Sequence, residues 1–344
     1  MALPLDLGLG GRVPDIIEVD PHDDRTLRAF WEAEQAAIRA DRAHPVIRTW
    51  DALRNGVQNP SPYHQRVLLA AVTDGEVVGG ADVGLPLQDN PHLGELEINV
   101  RPEWRRRGVG TALHAVASAR LRAADRTTVL GEAYEPVDGE PTASVAFAES
   151  LGFTSEHVEE HLVLPLPVPA AQVERLRASV PDLVDYELVT WGDHCPEEHL
   201  AAYCSMMTQM DADVPTGELD LEPVVFDEAR VRTSEERLAR SHEQLHVAAR
   251  RLTDGVFGGF SIVLLPKGEE LALQFDTLVM PEHRGHRLGL LMKLDTLTRV
   301  QDRHPERTAF HTWTARSNAA MQATNKRFGY VALERMHDMQ RVAH

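Results

Sequence analysis

The chain has 344 residues, more than the ~100–200 of a typical single domain, so two units are expected. Its 35 Lys plus Arg against 53 Asp plus Glu give a formal charge of −18, and a surface this acidic repels phosphate polymers and anionic bilayers, so neither nucleic acid nor membrane is an expected partner. Cys195 and Cys204 are too few for a disulfide framework, residues 1–12 carry no secretory pattern and apolar runs such as Val67 to Val72 are far too short to span a bilayer, which together point to the cytoplasm.

In chain order, a β-like run and an acidic helix are predicted from Ile16 to Glu34. A hairpin follows, Val67 to Asp74 and Val77 to Val83 about Thr73-Asp74-Gly75. Glu95 to Val100 then reads as a strand, running through a turn into a helical stretch, and Phe147 to Phe153 closes this half with Leu-Gly-Phe. Leu164-Pro165-Leu166-Pro167-Val168-Pro169 cannot form a continuous helix and reads as a linker, followed by a short helix from about Ala170 to Ser179 stopped by Pro181. The order then repeats: a run and helix from Tyr186 to Met207, a hairpin from His246 to Leu252 and Val256 to Leu265, a strand from Leu271 to Val279, and a closing Asn325 to Tyr330 ending Phe-Gly-Tyr. The expected organisation is one α/β domain over 1–168, a connection over 169–181 and a second domain over 182–344.

The clearest internal match is Arg101-Pro102-Glu103-Trp104-Arg105-Arg106-Arg107-Gly108-Val109-Gly110 against Met280-Pro281-Glu282-His283-Arg284-Gly285-His286-Arg287-Leu288-Gly289. A strand, a tight turn and a helix start gather unpaired backbone N–H groups and the positive end of a helix dipole, which is an anion site suited to a pyrophosphate. Arg105, Arg106 and Arg107 add positive charge there, and Gly108 and Gly110 let the backbone approach a ligand.

These residues resemble the signature Arg/Gln-x-x-Gly-x-Gly/Ala of the GNAT superfamily of acyl-CoA-dependent N-acyltransferases. Arg105 to Gly110 matches it fully, whereas Arg284 to Gly289 carries Arg287 where the signature has Gly. The closing segments are similar to the family's second cofactor region, most visibly Asn318, Met321, Asn325 and Phe328-Gly329-Tyr330. The resemblance covers nearly the whole chain as two tandem GNAT domains, arranged like mycothiol synthase. It implies α+β domains with a mixed sheet splayed between two parallel strands, and acetyl-CoA (coenzyme A) bound there. The implied contacts are Val100, Arg105 to Gly110 including Val109, and Thr111 in the first half, with Val279, Arg284, Gly285, His286, Arg287, Leu288, Gly289, Asn318, Met321 and Asn325 in the second.

The implied reaction is attack of an amine on the acetyl thioester, which needs a base for the ammonium and a proton for the leaving thiolate. Glu95 and Glu97 sit two apart on the first strand and so share a face; the repeat aligns Glu97 with Asp276 and Glu95 with Gln274. Glu97 and Asp276 are therefore the candidate bases, acting directly or through water, with Glu95 beside the substrate. Many family members use a Tyr four residues before the closing Gly as the acid; here Ala148 and Asn325 stand there. Acceptor pockets in the family are lined by the first two helices: Tyr203, Met207, Met210, Asp211 and Asp213 in the second half, and Trp31 with Phe30, Glu34 and Trp50 in the first. The carboxylates favour a cationic small-molecule amine. His194, Cys195, His199 and Cys204 cluster without a second ligand pair, so no metal is expected; His283 and His286 read as phosphate neighbours. The expected protein is an N-acetyltransferase, monomer or homodimer, with alternatives of a non-catalytic acyl-CoA-binding module or a same-fold enzyme using another acyl donor or a peptide amine.

Overall fold

The computed structural model describes residues 14–138, 142–180 and 185–342, so the readings on 1–12 and on Pro181 lie outside the described residues. It divides into two compact units, one of residues up to Glu132 with Gly152–Thr154 and 339–342, the other of Ala133–Leu151 and Ser155–Asp338.

In the first unit, β1 (Asp15–Glu18) pairs with β2 (His64–Thr73), which pairs with β3 (Glu76–Pro86) and then β4 (Leu93–Val100), all antiparallel. Asp74 and Gly75, both with positive φ, make the two-residue turn between β2 and β3, the geometry that suits the right-handed twist of the strands. α1 (Asp24–Asp41) starts at Asp23, whose carboxylate accepts from the amides of Arg25 and Thr26, and α2 (Trp50–Gln58) starts at Thr49. Leu27, Phe30 and Ala33 of α1 pack with Leu53 of α2 and with Leu68, Ala70 and Val77 of the sheet. β4 pairs in parallel with β5 (Thr128–Pro136), but only from Leu93 to Glu95 against Thr128 to Leu130. α3 (Val109–Ala123) connects the two strands in sequence and packs on β3 and β4.

In the second unit the strand order is β12 (Val331–Val342, as far as Asp338), β6 (Thr154–Pro165, from Ser155), β11 (Ala309–Ala315), β10 (Leu271–Val279), β9 (Phe257–Pro266), β8 (His242–Arg251), β7 (Tyr186–Trp191). β9 is buried along its whole length because both its faces are covered: Val263 and Leu265 join Leu290, Leu294 and Leu297 of α8 (Leu288–Arg303), while Phe260, Ile262 and Leu264 join Leu200 and Tyr203 of α6 (Glu197–Asp213). α4 (Ala143–Ser150), α5 (Ala170–Ser179), α7 (Glu228–Leu238) and α9 (Ala319–Phe328) complete the unit. Leu164 and Pro165 end β6 opposite Phe310 and Ala309, and Val168 is buried beside α5, so this proline-rich stretch is packed into the unit. Among the described residues no helix is long and apolar enough to cross a membrane.

Candidate active site

The two repeated turns have the same backbone, and glycine has traded places within it. Each turn visits the left-handed region twice: at Arg106 (φ 59°) and Gly108 (φ 80°) in the first half, and at Gly285 (φ 87°) and Arg287 (φ 58°) in the second. Arg287 therefore keeps the conformation that Gly108 adopts, and its guanidinium donates to the carbonyl of Ser179. Neither α3 nor α8 has a side-chain cap at its N-terminus, so the first-turn amides of each helix lack a protein side-chain acceptor.

A cavity of about 820 Å³ opens at the N-terminus of α8. β10 and β11 pair in parallel only from Leu271 to Leu273 against Ala309 to His311, and the strands part beyond. Thr277 to Val279 on one strand and Thr312 to Ala315 on the other wall the opening. Of the residues expected around the donor, Val279, Arg284, Gly285, Arg287, Leu288, Gly289, Asn318 and Met321 line this cavity, joined by Met210 and Asp213 from the acceptor set. The volume, the uncapped helix start and three arginines on the wall, Arg284, Arg287 and Arg327, suit a long, phosphate-bearing ligand. Asn318 caps α9 by accepting from the Met321 amide, and Asn325 lies behind the wall, its amide donating to Thr314 and its carbonyl accepting from Lys293. Arg284 pairs with Asp213 at 2.6 Å, so that carboxylate is already neutralised.

The histidines of the second turn are a correction to the phosphate reading. His283 is buried and shares a 2.7 Å hydrogen bond with the Tyr186 hydroxyl, packed against Gly258, and His286 contacts the His283 carbonyl; neither lines the cavity. Their role is to hold the turn against β7 and β9.

Asp276 is set by an irregularity. The register of β10 on β9 slips between Gln274 and Thr277, so one extra residue is accommodated and Phe275 is pushed out to 58% exposure. Gln274 consequently faces α8, donating to Ser261 Oγ and the Ile262 carbonyl, while Asp276 turns to the α6 side with Asp211 and Tyr203. Burial, with the Asp211 carboxylate adding to it, pushes the Asp276 carboxyl up to about 6. Asp211 accepts from the Val224 amide at 2.6 Å. Tyr203 is buried against Trp191, His246 and Phe260, and Met207 and Met210 pack at the edge of the same cluster.

In the first half β4 has no such slip, and Glu95 and Glu97 are both exposed on the α1 side. Glu95 contacts His64 Nε2 at 3.0 Å, and Glu97 accepts from Asn99. Behind Glu97 lies a buried ion cluster: Arg48 bridges Glu34 at 2.7 Å and Asp82 at 2.6 Å, and Asp82 also holds Arg66. Burial raises Glu34 to about 7 in spite of Arg48. Trp31 donates to the Arg48 carbonyl and meets Trp50 edge-on. Arg105 is occupied by the Val100 carbonyl, the Ala37 carbonyl and Asp41, tying the turn to α1; Arg107 lies over Trp104, and Val109 is buried whereas Thr111 is exposed.

Lys293, Trp313 and Arg327 are cavity residues that the sequence reading missed. Lys293 had a signal, since it shares the inward face of α8 with Leu290 and Leu297 and is the one charge on that face. Cys195 is buried, its thiol pushed up to about 12, and its amide donates to Glu235, which also pairs with His194. Among the described residues no group of three or more His, Cys, Asp or Glu is placed to hold a metal ion.

Residues 26–153 match the family model described as the acetyltransferase (GNAT) family. No curated protein sequence matches the chain. Among solved structures it is similar to a tandem GNAT protein from the clavulanic acid biosynthesis pathway, with 26% identity and a TM-score of 0.81 over 96% of this chain and 98% of that one. It is also similar in fold to a GCN5-related N-acetyltransferase from Sphaerobacter thermophilus (17% identity, TM-score 0.64, 96% and 97% covered). Saccharomyces cerevisiae N-myristoyltransferase with bound myristoyl-CoA shares the fold too (10% identity, TM-score 0.59, 99% and 82% covered).

Proposed function

We propose, from the GNAT family match over residues 26–153 and the likeness of the chain to a tandem GNAT protein, that the second unit transfers acetyl from acetyl-CoA to the primary amine of a small cationic molecule. The observation that carries the reading is the 820 Å³ cavity between the parted strands β10 and β11, at the uncapped start of α8. In this reading the first-turn amides of α8, with Arg284, Arg287 and Arg327, hold the phosphates, and the parted strands take the pantetheine arm. The donor supplies an activated acyl thioester.

Asp276 is the base that makes the amine a nucleophile. A carboxyl raised to about 6 is ionised at neutral pH yet more basic than an ordinary aspartate, which suits removal of a proton from an ammonium. Its position on the α6 side, with Asp211, Met207 and Met210, offers a cation two carboxylates and an adaptable apolar wall. The first unit keeps the turn geometry and carries the family-model match, but its aligned carboxylate, Glu97, is exposed to solvent whereas burial raises Asp276, and we assign it a supporting role.

Calorimetric titration of acetyl-CoA into wild type, Arg105→Ala and Arg284→Ala tests the donor, and thiol release with a panel of amines tests turnover. One site per chain, weakened by Arg284→Ala and kept in Arg105→Ala, is expected; no binding, or loss only with Arg105→Ala, sinks the assignment. Asp276→Asn should lower kcat by about 10²-fold or more while acetyl-CoA affinity is kept.

A further inference from the structure

Collapse of a thioester adduct leaves a thiolate, and a donor for its proton should sit on the wall where the parted strands would hold the sulfur. The charged groups on that wall are Glu159 of β6, Asp213 of α6, Arg284 and Arg287 of the turn, Lys293 of α8 and Arg327 of α9. The arginines do not give up protons, and Asp213 is bound to Arg284. Lys293 is different: it is 3% exposed yet lines the cavity. Its ammonium donates to Asn325 Oδ1 at 2.6 Å, lies 3.9 Å from Met321 Sδ and 5.2 Å from the centre of the Tyr330 ring, and has no carboxylate partner among the described residues. Two of its three hydrogens remain without a strong acceptor, since a thioether sulfur accepts only weakly.

We propose that Lys293 is the general acid of the second unit, protonating the thiolate as it leaves. The inference rests on the acetyl-CoA reading above. The amine nitrogen forms its bond to the acyl carbon, the C–S bond breaks with its electron pair going to sulfur, and Lys293 Nζ gives sulfur the proton. Lys293 is left neutral and regains a proton from solvent, while the two protons shed by the ammonium leave through Asp276, so each turnover releases one net proton. Burial without an anionic partner pushes the Lys293 ammonium down to about 7, so it parts with a proton readily at neutral pH. Asn325 fixes the amine, and its own amide is fixed by Thr314.

The test compares wild type, Lys293→Arg and Lys293→Met in two measurements. The first is the pH dependence of kcat; the second, made without turnover, is ionisation of the thiol of bound coenzyme A, followed by thiolate absorbance. Wild type should show a bell-shaped profile whose alkaline limb is absent from both variants, and kcat in both should fall by about 10²-fold or more. Bound thiol should ionise at lower pH in Lys293→Arg, whose charge is permanent, than in wild type and Lys293→Met, where no charge stands beside the sulfur once Lys293 has given up its proton, with the acetyl-CoA Kd changed less than about threefold in all three. Full activity in Lys293→Arg would reduce the residue to a fixed charge and overturn the proposal, as would mass-spectrometric detection of acetyl transferred to Lys293 during turnover. Binding of coenzyme A without turnover in wild type, or no binding, would overturn the acetyltransferase reading itself.

Discussion

At the scale of single residues, the second unit holds two groups whose environments push their pKa values toward each other: Asp276 up to about 6 and Lys293 down to about 7. Asp276 also carries a stability cost that can be measured. Its folded value lies above the ordinary 3.8, so the native state binds more protons than the unfolded chain between about pH 4 and 6. Stability is therefore lost as pH rises through that window, and the whole cost is present above it. Asp276→Asn removes the charge, and it should raise stability at pH 7.5 by up to about 3 kcal/mol, with the gain disappearing below pH 4. Urea midpoints at the two pH values decide this; equal gains at both would mean that packing, not ionisation, is responsible. A variant that is more stable but inactive is the usual outcome when a strained or desolvated group is kept for its chemistry.

Among elements, the strand that enters each turn depends on a glycine facing its last residue. Gly79 lies opposite Val100, and Gly259 opposite Val279. A Cβ on Gly79 would meet the Asn99 carbonyl at 2.8 Å, and one on Gly259, where φ is 156°, the Leu278 carbonyl at 2.2 Å. Backbone cannot step aside as a flexible side chain can, so Gly259→Ala is expected to cost about 3 kcal/mol and to lower acetyl-CoA affinity by displacing β10 from the cavity. Gly285→Ala is the contrasting case: its φ is 87°, but nothing lies within 4 Å of the added carbon, so only backbone strain of about 1 kcal/mol is expected. Thermal and urea unfolding of the two variants separates clash from strain. The turns and the strands before them were legible because a repeat with the same residue types appears twice, and β10 has the bounds its apolar pattern predicts. The bulge was not legible. Glu95 and Glu97 share a face as alternation requires, but Gln274 and Asp276, also two apart, face opposite sides because Phe275 interrupts the alternation, and no residue type in that stretch announces it.

For the whole molecule, what the sequence conveyed best was the tandem architecture and the position of the two repeated turns; what it conveyed least was which side chains each turn could still offer a ligand. Arg105 and Arg284 align in the repeat, yet one is absorbed by α1 and the other by Asp213, and only the fold decides such partnerships. Net charge acts at a longer range and needs no contact. A chain of charge −18 surrounds itself with a negative potential that draws in cations and repels anions, except where local arginines offset it, as Arg287 and Arg327 do at the cavity. A cationic acceptor and an anionic donor are thus expected to respond to salt through different parts of this field. The screening length shrinks to about 3–4 Å as ionic strength approaches ~0.5–1 M, which removes the long-range attraction for the amine. The KM for a cationic amine should then rise by about 3-fold to 10-fold from low salt to ~0.5 M, while an uncharged amine of similar size keeps its KM. The donor KM should also rise, because short-range attraction by the cavity arginines is screened as repulsion by the rest of the surface is relieved, and the two changes partly cancel. Steady-state kinetics with a matched pair of cationic and neutral amines reads the difference directly. Equal salt dependence for both would show that the carboxylates near Asp276 are not selecting charge, and would move the acceptor class away from cations.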